Sequence, residues 1–380
     1  MDANQPLPLL GGLSPAVFMR RHWQKKPLLI RAALPDAGAI VDRAALFGLA
    51  AQEQVESRLV VGSVRSAGQW KMRHGPFARR ALPALARPDW TLLVQGLDLH
   101  VPAAHAMLQA FRFVPDARLD DLMVSWASAG GGVGPHLDSY DVFLLQVQGK
   151  RRWRIGRAKD PQWLPGAPLK LLQNFVPEEE WVLEPGDMLY LPPRWAHDGV
   201  AVGGDCMTCS VGFRAPSADE LAHDLLQRLG EEEIFNKTIY RDPRQPATAA
   251  PGAVPPALLA FAQEAVTRRL AEPHAVARAL GESLTEPKGN VWFNGPGRSR
   301  RRGRLFDPVQ LSARTRMLYD EQHIYINGDA FEAAGRDAQI MRCLADERAL
   351  NRSAVARLSP GARELLDEWI ASGWATGVDA

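Results

Sequence analysis

A chain of 380 residues is too long for one ordinary compact domain, and its 46% hydrophobic content can fill the cores of two or three. The balance of 45 basic against 43 acidic residues leaves a net charge of +2, which excludes a global electrostatic pull toward nucleic acid or a membrane surface. Three cysteines exclude a disulfide framework and fit a reducing cytoplasm, and no run reaches the roughly 18 uncharged apolar residues of a membrane span or forms a secretion signal at the N-terminus.

From about residue 27 to 215 the chain shows short apolar runs (PLLIRAAL, DWTLLVQG, DVFLLQVQG, RRWRIG, DMLYLPP) broken by Gly, Pro and Asp. This spacing predicts an antiparallel sheet or barrel. From Ser217 the period changes: Leu221, Leu225, Leu226 and Leu229 stand at helical spacing, and a break from Pro243 to Pro256 precedes a second helical run, ALLAFAQEAVTRRL. A basic linker follows at Arg298 to Arg304, then MLYDEQHIYING, which reads as a hairpin, and a closing helical segment ARELLDEWIASGW. Strands and short helices in so short a stretch predict a small α+β module of winged-helix type.

The chemistry concentrates at His136 and Asp138. On an extended segment, side chains two apart project to the same side, so this pair can bind one ion. Alone it is close to a coincidence in a chain with nine histidines. A third donor, His197, follows 61 residues later, behind a Gly-Asp turn, an apolar strand and two prolines. Two histidines and one carboxylate on one face of an ion match the facial triad of non-heme iron(II) oxygenases, in which three positions stay open. A 2-oxo acid can chelate through two of these and dioxygen can take the last. The same donors would also serve zinc.

These residues resemble the JmjC-type 2-oxoglutarate oxygenases, and among them the bacterial ribosomal oxygenases that hydroxylate an arginine of a large-subunit ribosomal protein. The segment from Phe18 to Arg31, the run GGGVGPHLDSYDVFLLQVQGKRRWRIG and the stretch Ser210 to Pro216 carry the likeness, which is close across residues 14 to 216 and looser beyond. The resemblance implies a double-stranded β-helix of cupin/JmjC type over 1–216, a helical dimerisation region over 217–285 and a winged-helix-like domain over 286–380. It implies iron(II) as cofactor, 2-oxoglutarate and dioxygen as cosubstrates, a ribosomal protein as partner and a homodimer as assembly. It also assigns the far carboxylate of 2-oxoglutarate to a basic residue that matches Arg151, and contacts to the cosubstrate to Ser125 and, with a one-residue offset, Thr208. The chemistry of a guanidinium fork suits Arg151. Strand parity agrees, setting Arg151 with Trp153 and Ile155 on one face and Lys150, Arg152 and Arg154 on the other.

Of three further signals, two are read as structural and the third stays open. Gly130 to Gly134 is no phosphate loop, because Pro135 and an extended segment follow where a helix is required; it is expected as a barrel turn near the substrate. Cys206 and Cys209 have redox spacing but would face opposite sides of a strand, and they are expected as structural cysteines. The cluster Arg298 to Arg304 is either a contact to ribosomal RNA or an acidic partner, or a solvated linker. Two other functions compete: a JmjC hydroxylase or demethylase of another protein, and a non-catalytic cupin whose C-terminal module binds RNA or protein.

Overall fold

The apolar runs of the first half become strands that are buried on both faces where the chain is most hydrophobic. The computed structural model describes residues 2–62, 69–231, 238–247, 250–294 and 308–377, so the Arg298 to Arg304 cluster lies outside the described residues. Chain contacts separate one unit, residues 1–215 with 289–292, from a second, residues 216–288 with 293–380.

In chain order the first unit contains α1 (Pro15–Arg21), β1 (Leu28–Ile30), α2 (Arg43–Leu49), β2 (Ser57–Val61), β3 (Lys71–His74), β4 (Trp90–Val94), α3 (Pro102–Gln109), β5 (Leu119–Ala127), β6 (Val142–Arg157), β7 (Glu179–Leu183), β8 (Met188–Leu191) and β9 (Trp195–Phe213). The strands pair antiparallel in the order β1-β8-β6-β9-β5-β4-β2-β3, and β7 adds to β6. Two long strands organise the sheet. β6 and β9 run side by side from Val142↔Gly212 to Arg157↔Trp195, and the C-terminal half of β9 also pairs with β5, which sets Ser125 opposite Thr208.

The β6–β9 register shifts between Gln146 and Lys150, where Gly149 has φ +63°. A Cβ at Gly149 would lie 2.2 Å from the Asp205 carbonyl oxygen, so the bulge that precedes Arg151 requires glycine. Gln146 secures it from inside, donating through Nε2 to the carbonyls of Gln148 and Gly149.

One end of the core is aromatic. Phe18 of α1, held by a Ser14 cap on Val17 N–H, meets Phe143 and Tyr190 at 5.4 and 4.9 Å between ring centroids. Each such ring, fully buried, contributes roughly 1.5–3 kcal/mol. This explains the apolar N-terminal segment and ties it to the strands that flank the candidate site. The buried carboxylate of Asp141 sits beside this cluster, accepting from Tyr190 Oη at 2.6 Å and Gln24 Nε2 at 3.0 Å. It anchors the chain three residues after Asp138.

The second unit contains α4 (Ala218–Glu231), α5 (Pro256–Leu270), α6 (Ala275–Thr285), β10 (Val309–Leu311), β11 (Met317–Tyr319), β12 (His323–Ile326), β13 (Asp329–Glu332), α7 (Gly335–Glu347), β14 (Ala349–Leu350), α8 (Arg352–Ala356), α9 (Pro360–Ala371) and β15 (Ala375–Gly377). The expected hairpin is β11–β12, and Asn327-Gly328, both with positive φ, turns the chain again into β13. β10, β14 and β15 make a second small sheet over a core that includes Ile326, Leu344, Leu366 and Trp369. The helical segment shares this unit: the Tyr325 ring leaves no room for a Cβ at Gly281 of α6, and Thr285 Oγ1 accepts from Gly328 N–H at 3.1 Å. Among the described residues no helix is long and apolar enough to cross a membrane.

Candidate metal centre and cosubstrate pocket

His136 does not lie in a regular strand, as the sequence led one to expect. It forms an isolated antiparallel bridge with His197 of β9, each N–H donating to the other's carbonyl at 3.0 Å, and β6 begins only at Val142. The Asp138 carbonyl accepts from Arg194 N–H at 3.0 Å. The bridge does what a strand would have done, because its extended backbone still sends His136 and Asp138 toward one point.

There the three side chains meet. Each offers one ligand atom, and these atoms all lie within 4.8 Å of one another. Asp138 stands 3.9 Å from His136 Nε2 and 3.5 Å from His197 Nε2. His136 Nδ1 lies 2.9 Å from the Gly134 carbonyl and His197 Nδ1 lies 3.0 Å from the Trp195 carbonyl. A carbonyl only accepts, so each Nδ1 carries the proton and each Nε2 turns its lone pair toward the common centre. Burial, aided by neighbouring His136, pushes His197 down to about 4 against the pull of Asp138, so its imidazole stays neutral at physiological pH. Two imidazoles and a carboxylate, oriented from behind, are a donor set that fits a divalent cation.

The centre opens into a cavity of about 440 Å³, which Ser125 and Arg151 also line. Parity along β6 holds: Arg151 (5% exposed), Trp153 and Ile155 are buried, Lys150 is exposed and pairs with Glu184, and Arg152 and Arg154 are half-buried on the opposite face. Arg151 donates through Nη1 to Ser125 Oγ at 3.2 Å and through Nε to Cys206 Sγ at 3.4 Å, and its buried Nη2 has no partner among the described residues. An orphaned guanidinium nitrogen beside a cavity is what a bound carboxylate would satisfy.

Thr208 departs from expectation. It is fully buried, gives its hydroxyl to Gln146 Oε1 at 2.9 Å and does not line the cavity. Its cross-strand neighbours take up the side chain, so it acts only behind Ser125, whose Oγ donates to the Thr208 carbonyl. The glycine loop also differs in emphasis. Gly130 and Gly131 bond to the backbone of Ala201, and a Cβ at Gly132 would lie 2.4 Å from the Gly199 carbonyl. Its glycines permit close packing on β9 beside His197, and Val133 is what it contributes to the cavity wall.

The sequence reading did not reach the acidic side of the cavity, where Asp120, Asp121 and Tyr140 contribute. Burial, with Asp138 and Asp121 nearby, pushes the Tyr140 hydroxyl well above its ordinary range, so it remains protonated. Asp121 and Met123 share the face of Ser125, so parity along β5 was a usable signal. The buried Asp198, which pairs with Arg154 on the outer face of β6 and β9, was also missed.

Comparisons with known proteins match the sequence and the fold of this chain. A JmjC domain model matches residues 106–221 and a ROXA-like winged helix model matches residues 268–376. The ribosomal protein uL16 3-hydroxylase of Escherichia coli (strain K12) is 33% identical over 329 residues, covering 84% of this chain and 86% of that protein. The crystal structure of E. coli YcfD superposes with a TM-score of 0.82 at 30% identity, covering 96% of this chain and 98% of that one. A structure of YcfD, described as a ribosomal oxygenase in complex with cobalt and 2-oxoglutarate, superposes at 0.78, again at 30% identity, over 95% and 97% of the two chains. The cupin-like JmjC fold and the winged helix expected from the sequence are the folds observed.

Proposed function

This chain belongs to the JmjC-domain ribosomal oxygenases, the family of the E. coli uL16 3-hydroxylase, and from that premise we propose that it hydroxylates an arginine side chain of a large-subunit ribosomal protein. It is a 2-oxoglutarate-dependent dioxygenase. In this reading His136, Asp138 and His197 hold iron(II), Arg151 receives the far carboxylate of 2-oxoglutarate and Ser125 supports that arginine. When bound, iron(II) would let dioxygen act as the oxidant, one oxygen atom going to 2-oxoglutarate, which leaves as succinate and carbon dioxide, and the other to the substrate C–H.

The protein's part is binding and orientation. Nδ1 contacts to backbone carbonyls keep both imidazoles aimed at the centre, and His197 stays neutral, so that donor is not lost to protonation at physiological pH. Trp153, Val142 and Leu144 wall the cavity and limit water around it. Asp120 and Asp121 put carboxylates in the cavity wall, which also carries Arg58 and Lys170, so a cationic substrate side chain would find acidic partners there. The observation that carries the reading is the sharing of one cavity by a three-donor cluster and a buried arginine with an unpartnered nitrogen.

Incubating the enzyme with iron(II), 2-oxoglutarate and dissociated large-subunit ribosomal proteins should add the mass of one oxygen atom to one protein, located by fragmentation to an arginine. Addition to a lysine or histidine would overturn the residue assignment, and addition only to a non-ribosomal protein would favour the alternative JmjC reading. A ribosomal substrate places the work in the cytoplasm. The exposed apolar residues Leu259 and Val266 of α5 and Leu226 of α4 support a second copy as the partner of this region. Light scattering should then return the mass of a dimer.

A further inference from the structure

The proposed cosubstrate arginine depends on a residue that the sequence reading set aside as structural. Arg151 is buried, yet no carboxylate among the described residues forms an ion pair with it; its hydrogen-bond partners are Cys206 Sγ on Nε and the Ser125 hydroxyl on Nη1, and the Trp153 ring lies 5.7 Å from its Cζ. A buried guanidinium next to an aspartate would have its charge compensated before any ligand arrived, whereas a sulfur and a hydroxyl acceptor fix its plane and leave the place of a carboxylate open. With Nε and Nη1 held, the fork can rotate neither about its stem nor in its plane, and Nη2 is the donor left without a partner.

Cys206 reaches this position because the backbone makes room. It stands opposite Ala127 at the end of the β5–β9 ladder and is fully buried with Ala127 and Ala201. Gly149 lets the bulge of β6 lie directly against it, since a Cβ there would approach the Cys206 Cα and Cβ to 3.0 Å. The bulge that displaces Arg151 along the strand is thus the one that brings the sulfur within reach of its Nε.

We propose that Cys206 is a positioning residue for the cosubstrate: its sulfur accepts from Arg151 Nε and orients the guanidinium toward the carboxylate of 2-oxoglutarate. This rests on the reading of Arg151 given above. It assigns to Cys206 a part in affinity for the dicarboxylate and none in metal binding, because Cys206 lines neither the cavity nor the donor cluster.

The test is calorimetric binding of 2-oxoglutarate to the full-length protein loaded with manganese(II) under anaerobic conditions, with manganese affinity measured separately. Cys206→Val, which removes the acceptor while filling the space, should raise the Kd for 2-oxoglutarate about tenfold, the scale of a lost hydrogen bond to a charged group. Cys206→Ser restores an acceptor and should stay within about threefold of wild type. Manganese affinity should be unchanged in both. If Cys206→Val does not fold, Cys206→Ala carries the same expectation. Wild-type binding of 2-oxoglutarate with equal affinity in the valine or alanine variant would overturn the role of Cys206 alone; a wild-type protein that binds manganese but not 2-oxoglutarate would overturn the reading of the pocket and this inference with it. Weakened manganese binding would show a structural role instead.

Discussion

Arg151 and Arg152 are neighbours in the chain and face opposite sides of the same strand, and that difference of one residue separates the proposed cosubstrate anchor from an outer-face side chain. His136→Ala or Asp138→Ala should reduce substrate-stimulated succinate release to background, because two remaining donors cannot hold the ion well. Full turnover in His136→Ala would disprove the metal assignment. Arg151→Ala should instead raise the KM for 2-oxoglutarate more than tenfold with a smaller effect on kcat, since the lost contact is to a part of the cosubstrate that does not react. Asp187 gives a residue-scale test of stability. Burial opposes its charge, but the N–H groups of Glu184 and Ala32 and the guanidinium of Arg31 outweigh this and hold the carboxyl below its ordinary range. A depressed folded-state pKa contributes stability that is present above the unfolded value and is lost as pH falls through the folded one. Urea midpoints of wild type and Asp187→Asn should therefore differ most near neutral pH and converge in acid; a constant gap would refute the assignment.

At the scale of elements, the site depends on how β6 and β9 pair. His197 lies opposite Ile155, and the register shift between Gln146 and Lys150 sets where Arg151 falls relative to it. Gly149→Ala should cost about 1–3 kcal/mol in urea unfolding, combining the penalty of positive φ for a residue with a Cβ and the clash with Asp205. It should also weaken 2-oxoglutarate binding, because the bulge is propagated directly into Arg151. Tyr190→Phe removes the hydroxyl that donates to Asp141 and accepts from Gln24 N–H, leaving Asp141 short of a partner. A loss of about 1–3 kcal/mol is expected, with activity retained once the protein is folded, which a urea melt paired with a turnover assay would check.

Across the whole molecule, the candidate metal donors, Arg151 and the cavity all belong to the first unit, while the winged helix has its own core. Manganese(II) with 2-oxoglutarate should accordingly slow amide hydrogen exchange in β5, β6 and β9 and leave β10 to β15 nearly unchanged; the reverse pattern would place the ligand site elsewhere. The strand-rich first half, the helical stretch after Ser217, the β11–β12 hairpin and the three residues of the candidate metal cluster were legible in the sequence, because period, turn residues and parity are local properties of the chain. The inward face of Arg151 was legible for the same reason. Only the tertiary structure decided that His136 bridges to His197 outside any regular strand, that Thr208 gives its hydroxyl to Gln146, that Asp120, Asp121 and Tyr140 line the cavity and that Cys206 touches Arg151. Those relations join residues tens of positions apart through register and a bulge, and cross-strand register is a property of the assembled sheet that no local stretch of sequence contains.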